Sequence, residues 1–328
     1  MEMSRLSGLN VRIASLWSHL EFRVLMVTAL VVVTLGSRSP GKVFTEGFWE
    51  GIFRMASDLG FLCIGESLLL AAGEVDLSIA SVYAWAAYIV LTLANGGSPF
   101  PIALITALVF SASVGLVNGI VRLKTSVHPV IVTLASAWGL RGVLLTLFGE
   151  KFSKYQGEKS IFIDAVTGKV AFFPSVFLWF IGLAILFTIL LNRTKFGNHV
   201  LAVGGDVTVA RNMGVPVERV KILSYIICSL MAGFAGCAHV VGAALVMPTL
   251  GTDIGYGFGK EFEAICVSVM AGTSIFGGIA SMIAVLIASI AYSTFRSGLI
   301  LMGLPGYWYI PVSGLLLIIF VIIHQIRR

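Results

Sequence analysis

Two carboxylates, Glu74 and Asp76, lie in the segment AAGEVDLSIAS, which is embedded in one of the most apolar stretches of the chain. An ionised side chain at the centre of a bilayer costs roughly 2.5–3.5 kcal/mol even on the lenient scale, so such a residue needs a partner or a function. These carboxylates could bind a proton or cation, form an ion pair, or cap the helix that follows.

A second interrupted apolar stretch, EFEAICVSVMAGTSIFGGIAS over 261–281, has the same order of signals. Both stretches contain Ala-Gly and later Ile-Ala-Ser, and unwound backbone at membrane depth is tolerated only where it is buried in protein or lines a cavity. We therefore predict broken helices near 73–78 and 272–278. The residues predicted to line a path or gate are Glu74, Asp76, Ser78, Thr273, Ser274 and Phe276.

The polar segment 192–221 contains signals for one short helix over 207–213. Asp206 can accept the free amides at its N-terminus, Gly214 suits the left-handed residue after its C-terminus, and Pro216 prevents continuation. Such a short helix is marginal alone in water, so it must pack against something.

The apolar residues of this helix, Val209, Ala210 and Met213, form a small face. The face could pack on its own bundle, or it could seat in the groove of a partner protein. Both possibilities remain open at this point.

Signals for enzymatic chemistry are missing from the sequence. The phosphate-binding pattern GxxxxGK[ST] is absent, and so are HExxH and paired Asp-rich motifs, which argues against an ATPase site or an intramembrane enzyme. The four cysteines have no metal-ligand spacing and are predicted to be core residues, so no cofactor is expected in this chain. No basic run interleaved with aromatic residues suggests nucleic-acid binding.

Other charged residues have weaker interpretations. Arg141 lies in an apolar segment and needs a partner, for which Glu66 is a candidate, and His239 is predicted to be a helix-packing residue. The segments 150–173 and 247–261 are predicted to face the outer side, either as solvated loops or as contacts for a soluble protein. The candidate contact residues are Lys151, Lys154, Asp253, Lys260 and Glu261.

The composition identifies the elements that must position these residues. The chain has 328 residues, 58% hydrophobic and 12% charged, against about 25% charged in soluble domains. We predict an all-α polytopic membrane protein, with about ten apolar runs that could each cross a hydrocarbon core about 30 Å thick. The predicted spans are 22–36, 58–73, 78–94, 100–121, 129–148, 174–191, 222–246, 262–276, 278–296 and 308–326.

The predicted organisation is a polar cytoplasmic segment, 1–21, followed by a single transmembrane domain, 22–328, that includes the loop 192–221. An even number of spans places both termini on one side, and the distribution of Lys and Arg slightly favours the cytoplasm.

Taken together, four segments resemble the permease subunits of ribose-type ATP-binding-cassette importers, in the same order over about residues 55–325. They are AGEVDLSIAS (72–81), LRGV (140–143), RTKFGNHVLAVGGDVTVARNMGVPVERVK (193–221) and EFEAICVSVMAGTSIFGG (261–278).

This resemblance implies a permease dimer in a bacterial or archaeal inner membrane, made of identical or paralogous subunits. It also implies a periplasmic or extracellular solute-binding protein and an ATPase with two cassettes that binds ATP and Mg. The polar segment would then carry the coupling helix that contacts the ATPase. The residues implied in coupling are Asp206, Val209, Ala210, Arg211, Met213 and Gly214.

The resemblance further implies a non-enzymatic subunit that moves a small polar solute, foremost a monosaccharide such as a pentose. Nucleosides and branched-chain amino acids are alternatives within the superfamily, and an ion-coupled transporter using Glu74 and Asp76 is an alternative outside it.

Glu74 departs from the commonest family pattern, Gly-(Gly)-Ile-Asp-Leu-Ser, whereas Asp76 and Ser78 occupy motif positions. Asp76 is expected to accept amides near Ser78 and Ile79 and so cap the next helix. Glu74 could pair with Arg122, with Lys124 or with the ATPase, line the gate, be protonated, or be a solvated turn residue.

Overall fold

Helices dominate the part of the chain that the computed structural model describes, which is residues 20–149, 154–157, 161–242, 259–305 and 308–326. The first group is α1 (Leu20–Arg38), α2 (Pro40–Val43), α3 (Glu46–Ala71), α4 (Ile79–Asn95), α5 (Phe100–Thr125), α6 (Pro129–Phe148) and α7 (Ile161–Thr167). The second group is α8 (Ser175–Arg193), α9 (Lys195–Gly205), α10 (Val207–Asn212), α11 (Val217–Gly242), α12 (Lys260–Met270), α13 (Met282–Leu301) and α14 (Tyr309–Ile326).

A short β-hairpin departs from the all-α prediction. Its strands, β1 (Lys169–Val170) and β2 (Phe173–Pro174), pair antiparallel just before α8. Ala171 takes a positive φ of 52° in the turn, and two residues per strand leave too short a pattern for sequence periodicity to detect.

Five of the described helices are long and apolar enough to cross a membrane, namely α5, α6, α8, α11 and α13. Two shorter apolar helices, Thr28–Arg38 within α1 and Ile79–Asn95, add to them. The chain is therefore a multi-pass membrane protein. Every predicted span overlaps a described helix, but the count of ten crossings stays a prediction.

Helix ends differ most from prediction at α3 and α12. The helix α3 begins at Glu46, twelve residues before the predicted 58–73 span, because its first turns are amphipathic and carry the pair Glu50–Arg54, 3.0 Å apart. Hydropathy detects only the apolar part of such a helix. The helix α12 ends at Met270, before the predicted end at 276.

The helix α11 lies at the centre and packs most extensively against α5, α4 and α3. Small residues allow these backbones to approach closely: a Cβ on Gly236 would lie 2.1 Å from the carbonyl oxygen of Tyr83, and one on Gly115 would lie 2.5 Å from that of Tyr225. These two glycines therefore allow close packing between helices. The helices that flank the second break, α12 and α13, also pack on α3.

Candidate functional site

The first break begins where α3 ends in a Schellman motif. The amide of Gly73 donates to the carbonyl of Leu70 (2.8 Å), and the amide of Glu74 donates to that of Leu69 (3.2 Å). Gly73 has φ +76°, a left-handed conformation that glycine adopts without steric cost. The glycine thus ends the helix and turns the chain, and Glu74 is the first residue beyond it.

The second break repeats this motif at the end of α12. The amide of Gly272 (φ +80°) donates to Val269 (2.8 Å), and the amide of Thr273 donates to Ser268 (3.0 Å). The predicted breaks near 73–78 and 272–278 are therefore present. Thr273 occupies the backbone position that Glu74 occupies in the first break.

The Ile-Ala-Ser part of the predicted repeat does not superpose. The first copy, 79–81, opens α4, whereas the second copy, 279–281, precedes α13, which begins at Met282. Ser281 caps α13 by accepting the amide of Ala284 (3.3 Å). The second break is longer, so the two Ile-Ala-Ser copies do not occupy equivalent positions relative to the helices that follow them.

Glu74 lies at the centre of a buried ionic cluster. Its Oε1 accepts a hydrogen bond from Nζ of Lys221 (2.6 Å), and its Oε2 accepts from Nε of Arg122 (3.0 Å) and the hydroxyl of Tyr225 (3.1 Å). Its side chain has no exposed surface. The interpretation as a solvated turn residue is wrong, and the expected pairing with Arg122 is confirmed.

Lys221 and Tyr225 were not predicted as partners of Glu74. They lie 147 and 151 residues away along the chain, so no local spacing could connect them with the first break. The available signal was Lys221 itself, a cation one turn into an apolar helix that would need a counter-charge.

Asp76 organises the turn into α4. Its Oδ1 accepts the amide (2.7 Å) and the hydroxyl (2.6 Å) of Ser78, and its Oδ2 accepts longer hydrogen bonds, both 3.5 Å, from Asn118 and Ser229. Its own amide donates to Oε1 of Glu66 (3.3 Å). The expected bond to the Ser78 amide is present, but Asp76 does not cap α4, because Ser78 is the N-cap residue and the Ile79 amide is not among the partners of Asp76 in the described structure.

The three predicted gate residues of the second break have different environments. Thr273 is buried and its hydroxyl bonds that of Ser67 (3.2 Å), and Ser274 is buried and accepts the amide of Phe276 (3.2 Å). Phe276 is 53% exposed. Of these three side chains, only the Phe276 ring is therefore exposed.

The two breaks meet each other and the end of α9. The amide of Gly278 donates to the carbonyl of Ala71 (2.9 Å). Gly204 lies against this bond, since a Cβ there would come within 1.8 Å of the Ala71 oxygen and 2.5 Å of the Gly278 nitrogen. This junction was missed, although the paired glycines at 204–205 and 277–278 were a visible signal.

The helix α10 forms as the capping signals predicted. Oδ1 of Asp206 accepts the amides of Thr208 (2.7 Å) and Val209 (2.9 Å), and Gly214 has φ +80° after the helix. The helix closes at Asn212, one residue before the predicted end.

The predicted apolar face of α10 is divided. Ala210 is buried against the rest of the chain, whereas Val209 is 59% exposed and Met213 is 79% exposed. Arg211 bonds Glu218 at the start of α11 (2.5 Å). One apolar residue thus anchors the helix, and two project outward.

Three of the five residues predicted to contact a soluble protein fall in described segments. Lys154 is exposed, and its carbonyl accepts a hydrogen bond from Asn95 (2.9 Å). Lys260 pairs with Asp58, and Glu261 lines an internal cavity. Lys151 and Asp253 lie outside the described residues.

Asp58 forms a second ionic group, partly buried, that was not predicted. Its carboxylate accepts the hydroxyl of Tyr83 (2.8 Å), lies 3.1 Å from Nδ1 of His239 and pairs with Lys260. Nζ of Lys260 also lies 5.0 Å from the centre of the Tyr83 ring. His239 is thus a helix-packing residue, as expected, and Lys260 is engaged within the chain.

The expected pairing of Arg141 with Glu66 is wrong. Glu66 is buried between the amide of Asp76 and the thiol of Cys228, which lies 3.4 Å away. Arg141 instead interacts electrostatically with Glu261. The first turn of α12 supplies this partner, which sequence distance concealed.

Within the described part of the chain, no three His, Cys, Asp or Glu residues are grouped to hold a metal ion. All four cysteines are buried and unbridged, as predicted for core residues. What the geometry provides is two broken helices joined to each other and, through the end of α9, to the short helix α10.

A comparison with protein families matches residues 48–321 to the family described as "Branched-chain amino acid transport system / permease component". This match covers most of the chain. The chain belongs to this family. The permease is thus, like its relatives, a transport subunit.

Several curated relatives of the permease are sugar importers. It is 26% identical over 316 residues to the "Xylose/arabinose import permease protein XylH" of Sulfolobus acidocaldarius, covering 94% of this chain and 86% of the relative. It is 26% identical over 306 residues to the "Ribose import permease protein RbsC" of Escherichia coli K12, covering 92% and 93%.

The "L-arabinose ABC transporter permease protein AraH" of Azospirillum brasilense is 28% identical over 307 residues, covering 93% of this chain and 87% of the relative. No solved structure matches the permease significantly. The expected resemblance to permeases of ribose-type importers is confirmed by these relatives.

Proposed function

We propose that the permease forms the membrane path for a monosaccharide, foremost a pentose, in an importer driven by a separate ATPase. The observation that carries this proposal is similarity along more than nine-tenths of the chain to import permeases for xylose and arabinose and for ribose. The substrate class rests on the names of those relatives.

In this proposal, α10 is the coupling helix. Val209 and Met213 project from it and would seat in a groove of the ATPase, which would bind ATP and Mg. Movement of α10 would reach both breaks directly, because Gly204, in the last turn of α9, lies against Ala71 and Gly278. The breaks would then open and close the path between two permease subunits.

A solute-binding protein would deliver the sugar at the opposite end of the helices from α10. Lys151, Lys154 and Asp253 remain the proposed contacts, whereas the internal pairing of Lys260 and the cavity position of Glu261 make those two less suitable. The proposed location is the inner membrane of a bacterium or archaeon, with both termini cytoplasmic.

The ion-coupled alternative has less support. Both carboxylate oxygens of Glu74 already accept hydrogen bonds from cationic side chains, those of Lys221 and Arg122. Both oxygens are therefore already held by neighbouring side chains, so Glu74 is poorly placed to bind a further cation. A branched-chain amino acid remains the second candidate substrate, because the family description names that class.

The proposal is tested by reconstituting the permease with its ATPase in liposomes and adding its loaded binding protein. We expect ATP-dependent uptake of D-ribose, D-xylose or L-arabinose, and no uptake with an ATPase that cannot hydrolyse ATP. Uptake that persists with the inactive ATPase, or uptake of L-leucine and none of the sugars, would contradict the proposal.

A further inference from the structure

A cavity of about 170 Å³ lies where the start of α4, the middle of α6 and the start of α12 meet. Leu77 of the first break lines it, as do Ser81 of α4, Trp138 and Arg141 of α6, and Glu261 of α12. The cavity therefore lies beside the first break, and α12, the helix that leads into the second break, forms part of its wall. Pockets for drug-sized ligands hold roughly 300–1,000 Å³, so this one suits a smaller solute.

The cavity contains opposite charges at membrane depth. Arg141 lies near the middle of α6, a helix apolar enough to cross the membrane, and is only 4% exposed. Glu261 interacts electrostatically with it, and in the described structure Oε2 of Glu261 is buried without a hydrogen-bond partner. Charged residues inside spans face the bundle interior or a water-filled cavity, not lipid.

Aromatic surface faces the same cavity. Trp138 and Phe262 both line it, and they are 60% and 56% exposed, so the cavity opens at the surface between α6 and α12. An indole ring offers a large apolar face with a negative quadrupole, against which polarised C–H groups pack well. Apolar walls with a few convergent polar groups are typical of a small-molecule site.

We propose that this cavity is a monosaccharide site on the translocation path. The C–H face of a single sugar ring packs on Trp138, while its hydroxyl groups donate to Oε2 of Glu261 and accept from the guanidinium of Arg141. The proposal rests on the proposed function for its substrate class. It also moves Glu261 from a contact with the binding protein to a contact with the solute.

The charge pattern distinguishes a sugar from a simple ion. Arg141 and Glu261 offset each other, so the cavity has no net charge with which to attract a lone cation or anion. A zwitterion such as L-leucine could also use both charges, and it is therefore the competing ligand in the test.

The experiment places single cysteines in the whole reconstituted transporter. The variant Ala137→Cys puts a thiol in the cavity, and Ser81→Cys, a near-isosteric change, provides a second cavity position if the first fails to assemble. The control is Val143→Cys. Val143 is 51% exposed on α6, and a rotation of about 100° per residue places it on the helix face opposite the cavity. Background labelling is low because the native cysteines are buried.

Each variant is treated with a charged, water-soluble methanethiosulfonate, and uptake is then measured. We expect the cavity thiols to react, labelling to lower uptake by at least about tenfold, and a transported pentose to slow labelling by roughly threefold or more. Labelled Val143→Cys should keep its uptake.

Three results would overturn the assignment: reaction only with a lipid-soluble maleimide, labelling that leaves uptake unchanged, or protection by L-leucine and not by the pentoses. Uptake by the unlabelled wild type is measured first, so a transporter that moves no sugar contradicts the proposed function itself. If the transporter takes up sugar normally and labelling of the cavity thiols does not change that uptake, only the proposed site is contradicted.

A second variant pair tests the aromatic face. Trp138→Ala should lower the maximal uptake rate by roughly threefold to tenfold, while Trp138→Phe should retain most of it, since aromatic pairing contributes in this range. ATP hydrolysis and folded yield should be unchanged in both. Equal uptake by the Ala and Phe variants would contradict the stacking role.

Discussion

Glu74 shows how a membrane protein accommodates a carboxylate that its sequence context does not favour. The side chain is fully buried, and Lys221 and Arg122 supply positive charge from α11 and α5. Removing one partner of a buried ion pair is far more costly than losing an exposed pair, because the remaining charge stays desolvated. Glu74 thus fixes the first break to two neighbouring helices.

We predict that Glu74→Gln destabilises the permease by about 3 kcal/mol or more, because Lys221 is left without its counter-charge. The matched control, Glu218→Gln, removes an exposed pair with Arg211 whose two side chains are each 60% exposed. It should cost at most about 1 kcal/mol. Thermal unfolding in detergent compares the two, and equal effects would contradict the structural role of Glu74.

At the residue scale, the sequence predicted that buried charged residues need partners, but it identified few of those partners correctly. Asp76 was correctly expected to bond the Ser78 amide, because a bond between residues two apart is local, although this bond does not cap α4. The partners of Glu66 and Arg141 were not predicted, since they come from α11 and α12 and depend on tertiary packing. The cluster around Asp58 was missed for the same reason.

At the scale of elements, the two breaks show what a local pattern does determine. Ala-Gly at the end of an apolar run predicted each helix break, and the left-handed glycine of each pair closes the Schellman turn found there. The meeting of the two turns at Gly204 could not be predicted, because it depends on how α9 returns to the bundle. The short helix α10 was predicted almost to the residue, since its signals are all local.

The junction at Gly204 predicts an asymmetric response to adding one methyl group. Gly204→Ala would place a Cβ 1.8 Å from the Ala71 oxygen, whereas Gly205→Ala has nothing within 4 Å. We expect Gly204→Ala to lower stability by about 1–3 kcal/mol, as overpacking does, and to slow uptake. Gly205→Ala should resemble the wild type, and similar thermal unfolding and uptake in the two variants would argue against the junction.

The exposed residues of α10 predict an uncoupled transporter. Met213→Asp should lower uptake by at least about tenfold while leaving the permease folded, because truncating an interface hot spot costs 2 kcal/mol or more. Met213→Leu keeps the apolar volume and should transport normally. Uptake and ATP hydrolysis are measured together in liposomes, and normal uptake by the Asp variant would remove the docking role of this helix.

At the scale of the whole molecule, composition predicted the fold class, a helical membrane protein, but it did not determine the number of membrane crossings. Hydropathy identified a multi-pass helical protein, and five described helices meet the length and apolarity of a span. A shorter helix such as α12 is not long enough to cross a membrane alone, because the break divides the apolar run into two helices.

We propose that this permease works with a separate two-cassette ATPase. The most direct test is gentle purification of the tagged permease from its native membrane, followed by mass spectrometry of the proteins that accompany it. We predict a two-cassette ATPase, with a second permease present as an identical or a paralogous chain. Its absence under conditions that preserve a known importer complex would contradict the account and place an ion-coupled carrier first.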